Sequence, residues 1–247
     1  MPRIIALIAA LAACSTSLSA QFPPRSLENV QVFPPDTPPR ELVNAMRQIT
    51  MDLGVRCVHC HVGEEGQPLS TFDFASDEKR TKETARAMLR MVAAINETHL
   101  GGLAERPEPH VDVTCATCHR GLPRPQTLGQ TLRAHLDTTD MTRTVEHYRL
   151  LRDRYFGSGS YDFGESSLSE LGQQLIAEER PSDALAMLAL NAEYFPESAS
   201  LVLLMGDAFA ALADTVRAIA RYEDAILKDE RLRGLATRRI TALRRDP

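Results

Sequence analysis

The 247-residue sequence has no tryptophan, and no internal stretch reaches the ~18–20 uncharged apolar residues that a membrane-crossing helix needs. No internal transmembrane helix is therefore expected. There is no excess of positive charge either: 28 Lys+Arg face 33 Asp+Glu, a net −5. The basic footprint of a nucleic-acid-binding protein is missing, and no nucleic-acid partner is expected. With 13 Gly and 15 Pro the chain is no low-complexity scaffold. What is present is ordinary globular material: 43% hydrophobic and 25% charged residues. That suffices for a sizeable core, excludes a wholly disordered chain, and at this length suggests one or two domains. Cysteine is also scarce. There are five, and their positions carry most of the information.

Residues 1–20 read as an export signal. Arg3 supplies the positive end, Ile4 to Ala13 is an apolar run of ten, and Ser17-Leu18-Ser19-Ala20 closes it with mostly small residues. Ten residues are too few to span a bilayer as a helix. Cys14 lies within Leu11-Ala12-Ala13-Cys14-Ser15, which resembles a bacterial lipobox and would make Cys14 a lipidated N-terminus. The rival reading is cleavage after Ala20, which discards Cys14. The expected location is the bacterial periplasm, with the protein either soluble or lipid-anchored at Cys14. Membrane association is expected only through that anchor.

The other four cysteines form Cys57-Val58-His59-Cys60-His61 and Cys115-Ala116-Thr117-Cys118-His119. Both are C-x-x-C-H, the pattern for covalent attachment of a c-type haem. Two thiols add to the porphyrin vinyl groups as thioethers, and the next residue, His61 or His119, is placed as proximal ligand to the iron. Such attachment takes place outside the cytoplasm, which agrees with an export signal. Three other readings compete. A zinc ribbon has about 15–20 residues between its pairs, whereas 54 separate Cys60 from Cys115. A thioredoxin-like site needs a βαβ context that the pattern does not show. Structural disulfides would leave unexplained the His after each pair. The expected cofactors are two covalently bound c-type haems.

Each iron needs a sixth ligand or an open position. Thr37-Pro38-Pro39-Arg40-Glu41 reads as a helix start with Thr37 as N-cap, and the helix is expected over 39–53, stopping at Gly54. Leu42, Met46, Ile49 and Leu53 form one apolar stripe, so Met46 can reach a haem packed on that helix, while Met51 lies off the stripe. A second helix is expected to begin near Ser76-Asp77-Glu78, with Ser76 as cap, and to end before Gly101-Gly102. Met88 and Met91 share one of its faces.

The stretch Met46-Arg47-Gln48-Ile49-Thr50-Met51-Asp52-Leu53-Gly54-Val55-Arg56 leading into the first motif resembles the cytochrome c subunit of photosynthetic reaction centres. So do Phe74-Ala75-Ser76-Asp77, the segment Arg86 to Asn96 with Met88 and Met91, and Val113 to Gly121. The resemblance covers roughly residues 37–125. It implies that each Met-ligated haem takes its methionine from a helix preceding its own motif. Met46 would then ligate the haem on His61, and Met88 the haem on His119, with Met91 in reserve. Well-studied members carry four haems, where this chain has two motifs. The family also uses a His ahead of a C-x-x-C-H to ligate a different haem. His99 and His110 lie in that neighbourhood but not at the family's position, and they read as surface residues, as does His59.

Residues 157–165 read as a turn-rich linker, and Asp140 to Tyr155 as a helix packing on the haem domain. After the linker a 34-residue period sets in. Gly172 matches Gly206, Ala184 matches Ala218, Leu171 matches Met205, Leu175 matches Phe209, and Leu188 matches Tyr222. This resembles the tetratricopeptide repeat, two helices per 34 residues. Residues 231–245 would add a cap helix rich in arginine.

The expected fold is all-α. A dihaem c-type cytochrome domain over 21–156, with a few helices on two covalent haems, precedes the 157–165 linker and a tetratricopeptide-like module over 166–247. The expected function is one-electron transfer between a redox donor and acceptor, a reaction centre or a respiratory complex, with no catalytic residue. The repeat module would bind a protein partner. Two alternatives stay open: a dihaem peroxidase with one open iron, and an assembly factor built on the repeats.

Overall fold

A computed structural model describes residues 22–245. The export-signal reading of 1–20 and both fates of Cys14 lie outside the described residues. Among the described residues the structure is all-helical, with ten α-helices and no strand beyond an isolated antiparallel bridge between Val62 and Asp73. No helix among them is long and apolar enough to cross a membrane. The chain divides into two compact units between Pro123 and Arg124.

The first unit contains α1 (Pro39–Leu53), α2 (Arg80–Ala94) and α3 (Cys115–His119), with a π-helical turn at Ile95–Leu100 and 3-10 turns at Cys57–His59 and Leu69–Thr71. Helix α1 has the expected limits. Pro39 at its first position needs no N–H partner, and Gly54 ends it in the left-handed region at φ 64°. The Gly54 N–H donates to the Met51 carbonyl at 3.2 Å, and the Val55 N–H to the Thr50 carbonyl at 3.0 Å. These bonds satisfy carbonyls that the last turn would leave open. Thr37 does not cap this helix. Pro39 fixes the cap position at Pro38, and the Thr37 hydroxyl donates instead to the Pro34 carbonyl at 2.7 Å.

Helix α2 starts at Arg80, later than the Ser76-Asp77-Glu78 signal suggests. The reason is Lys82. Its ammonium group collects the carbonyls of Phe74, Ala75 and Ser76 at 3.0, 3.1 and 2.7 Å, which holds residues 74–76 in a turn around it. The Ser76 hydroxyl accepts the Glu78 N–H at 3.2 Å, a cap-like bond in a turn outside the helix.

The end of α1 meets the turn after α3. The Gly121 N–H donates to the Asp52 carbonyl at 2.7 Å, and a Cβ on Gly54 would sit 2.1 Å from the Gly121 carbonyl oxygen. Only a glycine allows that approach.

The second unit comprises α4 (Leu128–Leu136), α5 (Met141–Tyr155), α6 (Glu165–Ala177), α7 (Pro181–Tyr194), α8 (Ala199–Ala211), α9 (Thr215–Lys228) and α10 (Arg233–Arg245). The helix expected over 140–155 forms, with the Asp140 carboxylate accepting the Arg143 N–H at 2.9 Å as its cap. Its Tyr148, however, is buried in one cluster with Leu128, Leu132 and Leu136 of α4 and with Leu168, Leu171, Leu175 and Leu188. Helices α4 and α5 thus pack with the helices that follow residue 164, and the turn-rich stretch expected as a linker is a loop inside this unit. Leu128, Leu132 and Leu136 form an i, i+4, i+8 stripe behind a Thr127–Gln130 capping box, which carried no expectation above although the pattern for it is present.

The 34-residue period is a period of packing. A Cβ on Gly172 would meet the Leu188 side chain at 2.7 Å, and one on Gly206 would meet the Tyr222 ring at 2.5 Å. The same close approach, a helix glycine under a large side chain 16 residues on, occurs in α6–α7 and again in α8–α9.

Candidate functional site

The first C-x-x-C-H motif is a tight turn. The His61 N–H donates to the Cys57 carbonyl at 2.9 Å, while the Lys79 ammonium donates to the Val58 carbonyl and the Thr81 hydroxyl to the His59 carbonyl. The start of α2 therefore grips the loop by its backbone. His59 is exposed.

This turn faces a cavity of about 390 Å³, within the ~300–1,000 Å³ range of ligand and cofactor sites. Helix α1 contributes Leu42, Met46 and Ile49, the loops contribute Cys57, Cys60, His61, Phe72 and Phe74, and α2 contributes Lys82, Ala85, Arg86 and Leu89. The stripe read on α1 thus delivers Met46 to the same enclosure as both cysteines and the histidine. Met51, off the stripe, is exposed.

His61 stands edge-on to Phe74, ring centroids 4.9 Å apart. Burial, and then the charge of Lys82, holds its pKa down to about 4, so the imidazole is neutral, as a metal ligand must be. The Phe74 carbonyl pulls the other way, but it falls short of hydrogen-bond geometry, and His61 Nδ1 is buried without a hydrogen-bond partner.

The second motif is α3 itself. Thr114 and Thr117 close a capping box at its start, with the Thr114 N–H donating to the Thr117 hydroxyl at 3.0 Å. His119 Nδ1 lies 2.8 Å from the Leu122 carbonyl. A carbonyl oxygen only accepts, so Nδ1 carries the proton, and in the neutral ring Nε2 keeps its lone pair for a metal. Asn96 ties the segment before this motif to the π-helical turn, donating to the Val113 carbonyl and accepting the Val113 N–H, both at 2.8 Å.

Helix α2 divides the unit's functional residues between two faces. Lys82, Ala85, Arg86 and Leu89, at i, i+3, i+4 and i+7, line the cavity. Met88 and Met91 lie off this stripe and do not line the cavity, and they are 37% and 45% exposed. Met88 is therefore not brought to the first motif. It belongs to the helix whose continuation is tied to the second. His99 and His110 are exposed, and His110 pairs with Glu108 at 2.8 Å.

Two residues at the cavity carried no site expectation. Lys82 and Arg86 are 8% and 6% exposed, unusual for charged side chains. The signal was available: they sit on the same α2 stripe as Ala85 and Leu89, where a core-facing helix would carry apolar residues. Asp77 pairs with both at 2.9 Å. The hydrogen bond from Asn29, then Lys82 and Arg86, pull the Asp77 carboxyl from its ordinary 3.8 down to about 2. The folded-state value lies below the unfolded one, so this contribution is complete above pH 4 and disappears as pH falls through about 2. Urea midpoints between pH 5 and pH 2 should fall with pH, and less steeply for Asp77→Asn. Parallel curves for the two proteins would refute this.

No disulfide joins the motif cysteines, and among the described residues no three His, Cys, Asp or Glu converge as a metal site. Burial pushes the Cys60 and Cys115 thiols up, with Asp52 adding to the shift at Cys115. A redox nucleophile needs the opposite shift. An apolar cavity of cofactor size, two thiols at its wall and a neutral imidazole in it fit a covalently attached haem. At the second motif, the thiol pair and the tautomer set on His119 fit one as well.

Among known families, the model described as Photosynthetic reaction centre cytochrome C subunit matches residues 15–151. No solved structure matches the chain.

Proposed function

Because the chain belongs to the photosynthetic reaction centre cytochrome C subunit family, we propose that it is a periplasmic dihaem c-type cytochrome that passes electrons one at a time between two redox proteins. Family membership itself carries an electron-carrier role and covalently bound haem. The number of haems, their ligands and the location are the proposal. The observation that supports it is that Met46, Cys57, Cys60 and His61 line one cavity.

When bound, a c-type haem supplies a reversible Fe(III)/Fe(II) couple. The protein's residues do the rest. Cys57 and Cys60 hold one group and Cys115 and Cys118 the other. His61 and His119 would each ligate an iron, Met46 would supply the second ligand at the first site, and Met88, with Met91 in reserve, the second ligand at the other. The Leu122 carbonyl fixes the His119 ring. The apolar side chains of α1 and α2 keep water from the first site. Thioether donors favour the reduced state more than imidazole does, so both sites should be fairly oxidising.

The redox partners are proteins, a reaction centre or a respiratory complex. We assign residues 166–247 to tetratricopeptide-like repeats that dock a protein partner. The Gly172–Leu188 approach, repeated 34 residues on at Gly206–Tyr222, supports the assignment. Location in the periplasm rests on the 1–20 signal and Cys14 readings.

The test is the purified holoprotein. Mass spectrometry should find two covalent haems per chain, and both should be low-spin with midpoints above the range of bis-His cytochromes. Cys115→Ser should leave one haem. A single haem in the wild type would overturn the dihaem reading. A five-coordinate haem would instead favour the peroxidase alternative, which needs an open iron.

A further inference from the structure

We propose that the outward face of α10 is a docking surface for an acidic partner protein, whose carboxylates its arginines hold. This rests on the reading that the repeat helices dock a protein, and it names the face and the partner's chemistry.

The first observation is a segregation of charge. Residues 124–230 carry 10 Lys+Arg against 18 Asp+Glu, a net −8, whereas residues 231–245 carry six Arg and no acid. Such asymmetry gives one end of the unit a positive field that steers an anionic partner toward it. The pairing of the arginines differs as well. Every arginine within α4, α5 and α9 pairs with a carboxylate or lies over an aromatic ring. Of the six in 231–245, Arg231, Arg233 and Arg239 pair with Asp229, Glu230 and Asp207. Arg238, Arg244 and Arg245 are exposed, and among the described residues their side chains have no ion pair or hydrogen bond.

The second observation is where these side chains stand. The inner side of α10 is committed to the core: Ala236 and Ile240 are buried in one cluster with Tyr222 and Ala225 of α9, and Leu235 and Leu243 pack against it. The helix is thereby fixed in rotation. Gly234, Arg238, Thr241 and Arg245 form its exposed i, i+4, i+7, i+11 stripe, and Arg244 flanks it. Seven residues of helix set Arg238 and Arg245 about 10.5 Å apart along the axis. Between them the stripe has only Thr241, whose hydroxyl already donates to the Thr237 carbonyl at 2.9 Å. Two carboxylates at the same spacing on a partner helix can each take a guanidinium through two N–H groups. The stripe holds no large apolar side chain of the kind that an interfacial helix buries in lipid. Protein carboxylates fit it better than a membrane surface does.

The full holoprotein tests this with three probes: a labelled alanine-based helical peptide with Glu at seven-residue spacing on one face, its Gln counterpart, and phosphatidylglycerol vesicles. The Glu peptide should bind, with an affinity that falls as salt rises from about 0.05 to about 0.2 M, and the Gln peptide should not. Arg238→Gln, Arg244→Gln and Arg245→Gln together should weaken binding about tenfold or more. The same three positions changed to Lys, which keeps the charge, should lose much less. Gln and Lys both suit a helix, so α10 stays folded in either variant. Arg143→Gln, exposed on α5 and paired with Asp140, is the control and should leave binding unchanged. The proposal is overturned if the triple Gln variant binds the Glu peptide as the wild type does, or if the Glu peptide does not bind at all. It is also overturned if the vesicles bind through the same arginines more tightly than the peptide, or if sedimentation shows those arginines joining two copies of the chain. The docking reading fails by a different result, cross-linking of the holoprotein in its own cells that joins no protein to residues 166–247.

Discussion

Gly54→Ala is expected to destabilise the first unit by about 3 kcal/mol or more and to impair the haem attachment proposed at Cys115 and Cys118. Two penalties combine. A left-handed conformation costs an L-residue about 1–2 kcal/mol, and Gly54 has φ 64°. The added Cβ would also lie 2.1 Å from the Gly121 carbonyl oxygen, which is backbone and cannot rotate away. The end of α1 and the turn after α3 would have to separate, which breaks the bond from the Gly121 N–H to the Asp52 carbonyl. Gly66→Ala is the control. Its φ is 84°, but nothing lies within 4 Å of the new methyl, so only the conformational cost of about 1 kcal/mol remains. Denaturant titration of both variants, with haem counted by mass, measures the difference. Equal losses at the two positions would refute the close approach.

The second large effect lies in the repeat helices. Leu188 is fully buried, and Leu188→Ala should cost about 2–5 kcal/mol. Gly172→Ala puts a methyl 2.7 Å from the same side chain and should cost about 1–3 kcal/mol by overpacking. The double variant should lose clearly less than the sum, because the new methyl then fills part of the space that Leu188 vacates. Additive losses would show that the two positions do not share that space. Gly206→Ala should be harsher than Gly172→Ala. Its methyl meets a Tyr222 ring whose hydroxyl donates to Asp207 at 2.8 Å and which is held on both sides, whereas a leucine tip can turn aside.

What could be read before the structure follows from the range of the interactions involved. Helix α1 was legible to the residue because Pro39 and Gly54 mark its ends locally. That Met46 lines one cavity with Cys57, Cys60 and His61 needed only spacing and one apolar stripe. The start of α2 was misjudged because Ser76 and Asp77 look like caps, while their backbone and side chain go to Lys82 and Arg86, residues that come after them in the chain. The unit boundary was placed at the glycines of 157–165, which are a real turn. Turns mark where a chain bends, not where a core ends. The core that absorbs α4 and α5 depends on Tyr148 meeting leucines of α6 and α7, and no local pattern reports that. The charged wall of the cavity was missed because the stripe that Lys82 and Arg86 share with Ala85 and Leu89 was not read as facing a cavity, and a lysine and an arginine on a helix read first as solvent-facing.

Helix α2 acts as a ruler. Its first turn clamps the loop that holds Cys57 and Cys60, and the π-helical turn that continues it is fastened through Asn96 to the lead-in of Cys115 and Cys118. Fifteen residues of helix, about 22 Å, thus separate the two grips, and the bond from the Gly121 N–H to the Asp52 carbonyl ties the same two segments a second time. Removing one residue from its middle would shorten the ruler by ~1.5 Å and turn one end by ~100° against the other. The length of α2 changes only in whole residues, ~1.5 Å at a time, and the separation of the two grips at its ends changes with it.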